Sequence, residues 1–554
     1  MPQLTGRAAF LQLLVDEGIS HMFGNPGTTE LPIMEVMPDF PQLNFVLGLQ
    51  EAIVVGMADG YARASGKLAA ANVHVAPGLG NAMGALYNAK FSNSPLILTA
   101  GQQEQVHGLL EPLLYDPLVP IAQPLVKWAV EATRVEDLPR IVRRAAKIAL
   151  TPPMGPVFIS LPGDVLDAQA ELDLGKPVRV MADSRPSDAT IGQIADMLLA
   201  ARAPVIIAGQ ELATRDAFAQ ASELAELLGA AVYASSIPYS AQFPTEHPAF
   251  MGSLTRSQKQ VRETLAPYDL LICLGADLLR MSVYSPVDPL PDNLPVLHIS
   301  ERSGELGKNY RTDLAVQAQV RETLDALLPV LRTRRSAQST GQAIERLARL
   351  APRNWAAQRD KASAAALANA SRAPIDPRLL MMRISDEMPR DGVVVEEALT
   401  SSNSLPGFLR LADRQSFYGL SSGGLGFGMP GAIGVSLALP GRRVTAVIGD
   451  GSAMYGIQAL WTAAHLKLPI TYVIPNNRSY RILKERLVSM RSTDKFIGMD
   501  MRDPAIDYTG LARSMGVPAR CVTDPADIVP ALREAAGRQG PSLVEVIVED
   551  GFGH

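Results

Sequence analysis

Short runs rich in Val, Ile and Leu alternate along the chain with longer segments of helical periodicity. Such runs, bounded by Gly, Pro or Asn, are typical of buried parallel strands. We predict strands at FVLGL, PLILTAG, PVFISLP, APVIIAG, LLICLGA, VTAVIGD and ITYVIPN. Because strands and helices alternate, the pattern predicts an α/β fold with doubly wound, mostly parallel sheets.

Two polar segments interrupt this alternation. Residues 168–190 carry Pro and Asp signals and indicate a connector, whereas residues 333–376 are rich in Ala, Arg and Ser and indicate a partly helical linker. We therefore expect three α/β domains, at residues 1–168, 186–332 and 377–548. A chain of 554 residues agrees with this number, since domains average about 150 residues.

Composition excludes several classes of protein. Hydrophobic residues make up 47% of the chain and charged residues 19%, which is too apolar for a disordered protein. The net charge of −5 is scattered along the chain and argues against nucleic-acid binding, which requires a basic surface. Two cysteines are too few for a disulfide framework or a thiolate metal site.

The N-terminal segment predicts an amphipathic helix and not a signal peptide, because no basic flank precedes a long apolar stretch. No uninterrupted apolar run is long enough to span a membrane. We therefore expect a soluble cytoplasmic protein without a membrane partner.

Two glycine-rich segments, at residues 78–84 and 424–431, invite comparison with dinucleotide-binding loops. Neither has the G-x-G-x-x-G spacing between a strand and the first turn of a helix, and the second contains Pro430. An NAD-linked oxidoreductase therefore stays only an alternative.

The most informative segment is VTAVIGDGSAMYGIQALWTAAHLKLPITYVIPNNRSY. Asp450 follows one predicted strand and Asn477 follows the next. Because parallel strands end at the same edge of a sheet, the two oxygen ligands could share one Mg²⁺ ion. Gly449 and Gly451 permit a tight turn beside an anion, and the following helix N-terminus favours a diphosphate. The alternative is an ordinary turn Asp with Asn residues at a strand end.

This combination resembles the metal-binding signature of the thiamine-diphosphate enzyme family, whose members have a pyrimidine-binding, a central and a diphosphate-binding domain of this size. The resemblance implies that thiamine diphosphate is the cofactor and that Asp450, Asn477 and the backbone carbonyl of Ser479 hold Mg²⁺. It places Leu425 under the bent cofactor. Further residues of the two motifs are expected to contact the cofactor: Gly424, Gly449, Gly451, Ser452 and Tyr480.

The family also requires a glutamate in its first domain, and Glu51 in LGLQEAIVVGMADGYARASG occupies such a context. The family's glutamate hydrogen-bonds to the pyrimidine ring and promotes loss of the thiazolium C2 proton. The alternative is a helix N-terminal Glu stabilised by the macrodipole. In this family the glutamate of one subunit serves the cofactor of another, so the resemblance implies at least a homodimer, with a homotetramer common among relatives.

Two loops resemble the benzoylformate decarboxylase branch of the family. In FGNPGTTELP, Thr28 occupies the position of a hydroxyl residue that contacts the substrate carboxylate. In NVHVAPGLGNAMGAL, His74 occupies that of a histidine beside the reacting carbon, which suits a proton shuttle. The alternatives are a turn or N-cap threonine and a structural histidine at a strand end.

The sequence departs from this branch at two places in the expected substrate pocket. Ser282 stands where a second active-site histidine is usual, and Ile482 stands where a smaller side chain faces the aryl pocket. Cations near Ile482 could bind a second anionic group of the substrate or could form a solvated helix face. These cations are Arg478, Arg481, Lys484 and Arg486.

The leading hypothesis is a lyase that decarboxylates a benzoylformate-like 2-oxo acid to an aldehyde and CO₂ without oxidation. The nearest alternative is a carboligase or lyase of the same family, such as a 2-hydroxyacyl-CoA lyase or an acetolactate-synthase-like enzyme. A non-catalytic assembly scaffold is a further alternative, against which the pair of Glu51 and Asp450 argues.

Overall fold

The computed structural model describes residues 2–282 and 284–552. These residues form three six-stranded sheets, in which every strand pair is parallel, and one two-stranded antiparallel ribbon. The predicted α/β fold class is confirmed. Within the described ranges, no helix has both the length and the apolar character needed to cross a membrane.

The first sheet has the strand order β3-β2-β4-β5-β7-β6, and β1 pairs with β8 in the ribbon. The strands are β1 (Gln3–Thr5), β2 (His21–Gly24), β3 (Asn44–Leu47), β4 (Ala69–Val73), β5 (Leu96–Gln102), β6 (Ala129–Glu131), β7 (Val157–Pro162) and β8 (Gln169–Glu171). The helices are α1 (Gly6–Asp16), α2 (Leu31–Val36), α3 (Glu51–Ser65), α4 (Val75–Phe91), α5 (Gln105–Gly108), α6 (Leu118–Ala122), α7 (Leu138–Leu150) and α8 (Gly163–Asp167). The carboxyl ends of β2, β3 and β4 therefore lie side by side and present three loops at one edge.

The second sheet has the order β11-β10-β9-β12-β13-β14. Its strands are β9 (Pro204–Ala208), β10 (Ala231–Ala234), β11 (Phe250–Ser253), β12 (Leu270–Leu274), β13 (Val296–Ser300) and β14 (Leu314–Gln317). Its helices are α9 (Asp188–Ala200), α10 (Gln210–Thr214), α11 (Phe218–Leu228), α12 (Gln258–Leu265) and α13 (Val320–Arg334). Two linker helices follow, α14 (Ala337–Leu350) and α15 (Trp355–Leu367).

The third sheet has the order β16-β15-β17-β18-β20-β19. Its strands are β15 (Val393–Glu397), β16 (Phe417–Gly419), β17 (Val444–Ile448), β18 (Ile470–Asn476), β19 (Ala519–Val522) and β20 (Ser542–Ile547). Its helices are α16 (Pro377–Glu387), α17 (Gly428–Ala438), α18 (Asp450–Ala453), α19 (Ala459–His465), α20 (Arg481–Arg491), α21 (Tyr508–Ser514) and α22 (Ile528–Ala536). The adjacent strands β15, β17 and β18 carry the loops of the candidate site.

The first and third sheets are joined by close contact between α3 and α17. A Cβ atom at Gly60 would lie 2.3 Å from the carbonyl oxygen of Gly431, and one at Gly434 would lie 2.0 Å from that of Met57. Only glycine permits this approach of two helix backbones. The helix that begins at Glu51 is thus held directly against α17, which in turn packs on β17, the strand before Asp450.

The N-terminal and polar segments agree with the predictions in part. The N-terminal helix is present as α1, but its buried side chains are not confined to one face, since Phe10, Leu11 and Leu13 are all buried. The expected connector at 168–190 begins with β8, which pairs with β1. The linker at 333–376 is mostly helical, since α14 and α15 occupy much of it.

Candidate active site

Asp450 and Asn477 meet at the carboxyl ends of neighbouring strands. Asp450 follows β17, Asn477 follows β18, and these two strands pair directly. Oδ2 of Asp450 accepts a hydrogen bond from the backbone N–H of Arg478 at 2.7 Å, and Oδ1 of Asn477 accepts one from Ser479 N–H at 2.9 Å. Both side chains therefore contact the backbone of residues 478–479, which places them close together.

The chemistry of this corner fits a hard divalent cation. Asp450 is buried, and burial raises the pKa of its carboxyl group to about 6, against the opposing effect of backbone N–H groups. Among the described residues, no Lys or Arg forms an ion pair with it. The same ranges contain no cluster of three or more His, Cys, Asp or Glu side chains suited to a metal. One carboxylate with an amide and carbonyl oxygens is a ligand set typical of Mg²⁺.

A helix begins directly after Gly449, as expected. It is α18, a single turn of four residues. Ser452 is buried within this turn. A Cβ atom at Gly451 would lie 2.6 Å from the ring of Tyr480, which explains the glycine. Arg478 adopts a φ of 56°, a strained conformation for a residue with a side chain.

A third strand end contributes residues that the sequence did not single out. Ser401 follows β15, and its Oγ accepts a hydrogen bond from Nδ2 of Asn477 at 3.5 Å. Glu397, the last residue of β15, is buried, which raises its pKa to about 7. Oε1 of Glu397 accepts a hydrogen bond from Gly426 N–H at 2.7 Å, and Oε2 accepts one from Gly428 N–H. Glu397 thereby fixes the loop that carries Leu425.

The loop before Gly424 is also tied to the first domain. Oδ1 of Asn88, on α4, accepts hydrogen bonds from the backbone N–H groups of Ser421 and Ser422, both at 3.2 Å. Nδ2 of Asn88 donates to Asp59, on α3, at 2.7 Å. This buried network sets the position of the Leu425 loop relative to α3 and α4.

Glu51 lies at the edge where β2, β3 and β4 end. It is the first residue of α3, after Gln50, whose side chain caps the helix by accepting a hydrogen bond from Ala52 N–H at 2.6 Å. Asn81 donates to Oε2 of Glu51 at 3.1 Å, and Asn25 donates to Oε1 at 3.5 Å. The carboxyl group is partly exposed and held by two amides, so it is oriented and still accessible.

His74 occupies the same edge as the N-cap residue of α4, directly after β4. Its Nδ1 lies 2.8 Å from Oε2 of Glu30 and 3.0 Å from Oγ1 of Thr29. The side chain of Glu30 is 1% exposed and also accepts hydrogen bonds from the backbone N–H groups of Gly27 and Gly101. Because a carboxylate only accepts, Nδ1 carries the proton and Nε2 is left for a reacting group.

Thr28 lies apart from this pair. It begins a short 3₁₀ turn, Thr28–Glu30, and its side chain is exposed. It borders a shallow depression together with Leu31, Pro32, Met34, Glu35 and Asp167. Its sequence neighbours Thr29 and Glu30 contact His74. Long-range pairing of this kind leaves no local signal, although Glu30 lies only three residues after the GNPG motif.

A cavity of about 1480 Å³ lies between the second and third sheets. Ser282, Leu425 and Ile482 line it, so the structure brings these three predicted residues together. Among the described residues that line it, Glu51 and His74 do not occur. The same lining residues do not include Asp450 or Asn477.

Three family models match successive parts of the chain. Residues 4–109 match the N-terminal TPP binding domain of thiamine pyrophosphate enzymes, residues 191–327 match the central domain, and residues 404–546 match the C-terminal TPP binding domain. Thiamine pyrophosphate is another name for thiamine diphosphate. The three matches follow the order of the three sheets.

Known proteins resemble the chain over its whole length. Benzoylformate decarboxylase of Pseudomonas aeruginosa is 33% identical, with 98% of each chain covered. The solved structure of a thiamine diphosphate-dependent 4-hydroxybenzoylformate decarboxylase of Rhodococcus jostii is 33% identical, with 99% of each chain covered and a TM-score of 0.87. The large subunit of acetolactate synthase isozyme 1 of Escherichia coli is 28% identical, covering 99% of this chain and 94% of the relative.

Proposed function

Because this chain belongs to the thiamine pyrophosphate enzyme family, we propose that it decarboxylates a benzoylformate-like 2-oxo acid to an aldehyde and CO₂. The proposal rests on one observation: Glu51 and the His74–Glu30 pair lie on neighbouring loops at one edge of the first sheet. A cofactor-activating carboxyl group and an oriented imidazole are the two groups that such a reaction requires of the protein. Similarity to two benzoylformate decarboxylases over nearly the full chain supports the substrate class.

The cofactor we propose is thiamine diphosphate bound with Mg²⁺. Asp450, Asn477 and the backbone carbonyl of Ser479 would hold the metal, and Leu425 would support the cofactor. Contacts to the cofactor are proposed for Glu51, Gly424, Gly449, Gly451, Ser452 and Tyr480. When bound, the cofactor supplies the electron sink that carbon–carbon bond cleavage requires.

Each residue of the first domain has a proposed task in the reaction. Glu51, held by Asn25 and Asn81, would share a proton with the pyrimidine ring. His74 would donate and accept the substrate proton through Nε2, because Nδ1 is engaged by Glu30. Thr28 would bind the substrate carboxylate, and its exposed side chain is accessible for that contact. Ser282 and Ile482 would face the substrate side chain from the cavity.

The complete site, in our proposal, forms between two copies of the chain in a homodimer, which could double to a homotetramer. Glu51 and His74 of one copy would serve the metal-site residues Asp450 and Asn477 of the other, as the resemblance to the family implies. Large apolar side chains are exposed on the segments that follow β3, β5 and β17, as at such an interface. They are Leu49, Val106, Leu109, Leu110, Leu113, Met454 and Tyr455. The cytoplasmic location expected from the sequence stays a prediction.

Carboligation by the same site is the second candidate. The similarity to acetolactate synthase favours it, because that relative covers nearly the whole chain. Both candidates share Glu51 and Asp450, and they differ in whether a proton or a second carbonyl compound completes the reaction.

A substrate panel tests the proposal. The purified protein would be supplied with thiamine diphosphate and Mg²⁺ and given phenylglyoxylate, aliphatic 2-oxo acids, or 2-hydroxyacyl thioesters. We expect CO₂ and an equal amount of aldehyde from phenylglyoxylate. Release of CO₂ with a hydroxyketone as the main product would favour the ligase. If no 2-oxo acid releases CO₂, the decarboxylase proposal fails.

A further inference from the structure

The cations that follow the metal-site loop have different surroundings in the structure. Arg481 pairs with Glu485 at 2.8 Å. The side chain of Lys484 is fully buried, pairs with Asp500 at 2.7 Å and lies over the rings of Phe496 and Phe552. These two cations therefore have structural partners and are not available to a substrate.

Arg486 differs from both. It lines the cavity with Ile482, Glu485 and Ser489. These positions are spaced three, four and seven residues apart, so one face of α20 borders the cavity. Within the described ranges, the guanidinium of Arg486 forms no ion pair, in contrast to Arg481 five residues earlier.

Charges across the cavity are otherwise accounted for. Four carboxylates line it, and each has partners. Two form ion pairs: Asp277 with Arg302, and Glu485 with Arg481. The other two accept hydrogen bonds: Glu396 from Ala398 N–H and the Ser402 hydroxyl, and Glu397 from the N–H groups of Gly426 and Gly428.

Two of the other cavity arginines are also paired. Arg280 binds Asp277 and lies over the ring of Phe91, and Arg378 binds Asp376. Arg256, after β11, is exposed on the cavity wall and acts on Glu396 only electrostatically, without an ion-pair contact among the described residues. The cavity thus has two arginines whose guanidinium groups are open to a ligand.

We infer that Arg256 and Arg486 form an anion-binding subsite of the substrate cavity, and that the preferred substrate is a 2-oxo acid with a second carboxylate. This inference rests on the proposed function, and it names the substrate class within it. A guanidinium presents paired N–H donors that match a carboxylate, and such a charge-assisted contact is stronger than a neutral hydrogen bond.

Arg486 lies four residues after Ile482, about 6 Å farther along the helix axis. Suitable test substrates therefore carry the second carboxylate several bonds beyond the keto group. 4-Carboxyphenylglyoxylate and 2-oxoadipate are rigid and flexible examples, and phenylglyoxylate and 2-oxohexanoate are their counterparts without the second charge.

Steady-state kinetics with these two pairs test the inference on the enzyme loaded with thiamine diphosphate and Mg²⁺. We expect kcat/KM to favour the diacid at least about tenfold in one pair or both, the size of one charge-assisted contact. Arg486→Gln should remove most of this preference while kcat/KM for the uncharged counterparts stays within about twofold. Equal kcat/KM values within both pairs would overturn the inference and leave the proposed decarboxylation intact.

A matched control and a binding measurement complete the test. Arg491→Gln removes the same charge from the last turn of α20, at an exposed position outside the cavity lining, and should retain the preference. Calorimetry with 2-hydroxyadipate and 2-hydroxyhexanoate measures the subsite without turnover. If no 2-oxo acid is decarboxylated, tighter binding of the diacid to the wild type than to Arg486→Gln still supports the subsite. Equal affinities would refute it.

Discussion

Nδ1 of His74 lies 2.8 Å from Oε2 of Glu30, whose side chain is 1% exposed. The two residues come from different loops at the carboxyl ends of β4 and β2. Glu30 is itself fixed by the backbone N–H groups of Gly27 and Gly101. A buried, immobile acceptor on one ring nitrogen orients the imidazole and selects its tautomer, as the aspartate of a catalytic triad does. Glu30 is therefore a positioning residue for His74.

Glu30→Gln should reduce kcat for a 2-oxo acid at least about tenfold with little change in KM. The amide keeps the shape of the side chain but can donate a hydrogen bond to Nδ1, which would place the imidazole proton on Nε2. NMR of the ring nitrogens would report this change of tautomer. Glu35→Gln, at an exposed position on α2, is the control and should keep both kcat and tautomer. An unchanged tautomer in Glu30→Gln would contradict the role given to Glu30.

Glu397 should make stability depend on pH. Burial raises its pKa from 4.5 to about 7, so the folded protein binds this proton more tightly than the unfolded chain does. Its contribution to the free energy of unfolding is fully present below pH 4.5 and is lost as the pH rises to about 7. At about 1.4 kcal/mol for each unit of pKa shift, this contribution is roughly 3 kcal/mol.

Thermal unfolding of Glu397→Gln checks this, since glutamine cannot titrate. The Tm of the wild type minus that of the variant should be larger at pH 5 than at pH 7.5, at matched scan rates. Asp450 titrates in both proteins, so its effect cancels. A difference that stays constant between these pH values would show that Glu397 is not protonated in the folded state.

Removal of Mg²⁺ should abolish the stabilisation that the cofactor provides. A ligand at about 100 times its Kd stabilises the folded state by about 2.7 kcal/mol, so thiamine diphosphate with Mg²⁺ should raise Tm by several degrees. EDTA removes the metal, and Asp450→Asn removes its charged ligand. Each should therefore abolish this rise in Tm. Asp494→Asn, at an exposed position, serves as the control. An undiminished rise in Asp450→Asn would contradict the proposed metal site.

Mixing two inactive variants tests whether the site is shared between copies. Glu51→Gln lacks the carboxyl group, and Asp450→Asn lacks the metal ligand. If the site forms across an interface, a mixed dimer contains one intact site, and exchange of subunits should restore about a quarter of the activity of the wild type. Activity that stays at the level of either variant alone, after subunit exchange is verified by native mass spectrometry, would place the site within one chain.

Much of the fold follows from apolar runs in the sequence. The seven predicted strands lie at β3, β5, β7, β9, β12, β17 and β18. Strands without a continuous apolar run are not predictable in this way. One example is β2, which begins at His21 and ends at Gly24. β15 was missed as well, although Val393, Val394 and Val395 are buried in it, so Glu397 was not recognised as the support of the Leu425 loop.

The candidate site was predictable where residues follow strand ends. Asp450 and Asn477 lie together because β17 and β18 are neighbours in the sheet, and Glu51 begins a helix as its context indicates. Contacts between distant side chains carry no such local signal. The Glu30–His74 pair therefore went unrecognised, and the sequence could not distinguish the buried Lys484 from Arg486 on the cavity wall.

The central claim is that this chain cleaves the bond between the carboxylate and the keto carbon of a 2-oxo acid with Glu51 as the activating group. Carbon dioxide release from phenylglyoxylate by the loaded enzyme, measured beside Glu51→Gln, tests it most directly. We predict steady release by the wild type and a loss of at least about a hundredfold in kcat for the variant, which still binds the cofactor, because the lost proton-transfer contribution is typically that large. Equal rates of release, or none from the wild type on any 2-oxo acid, would contradict the claim.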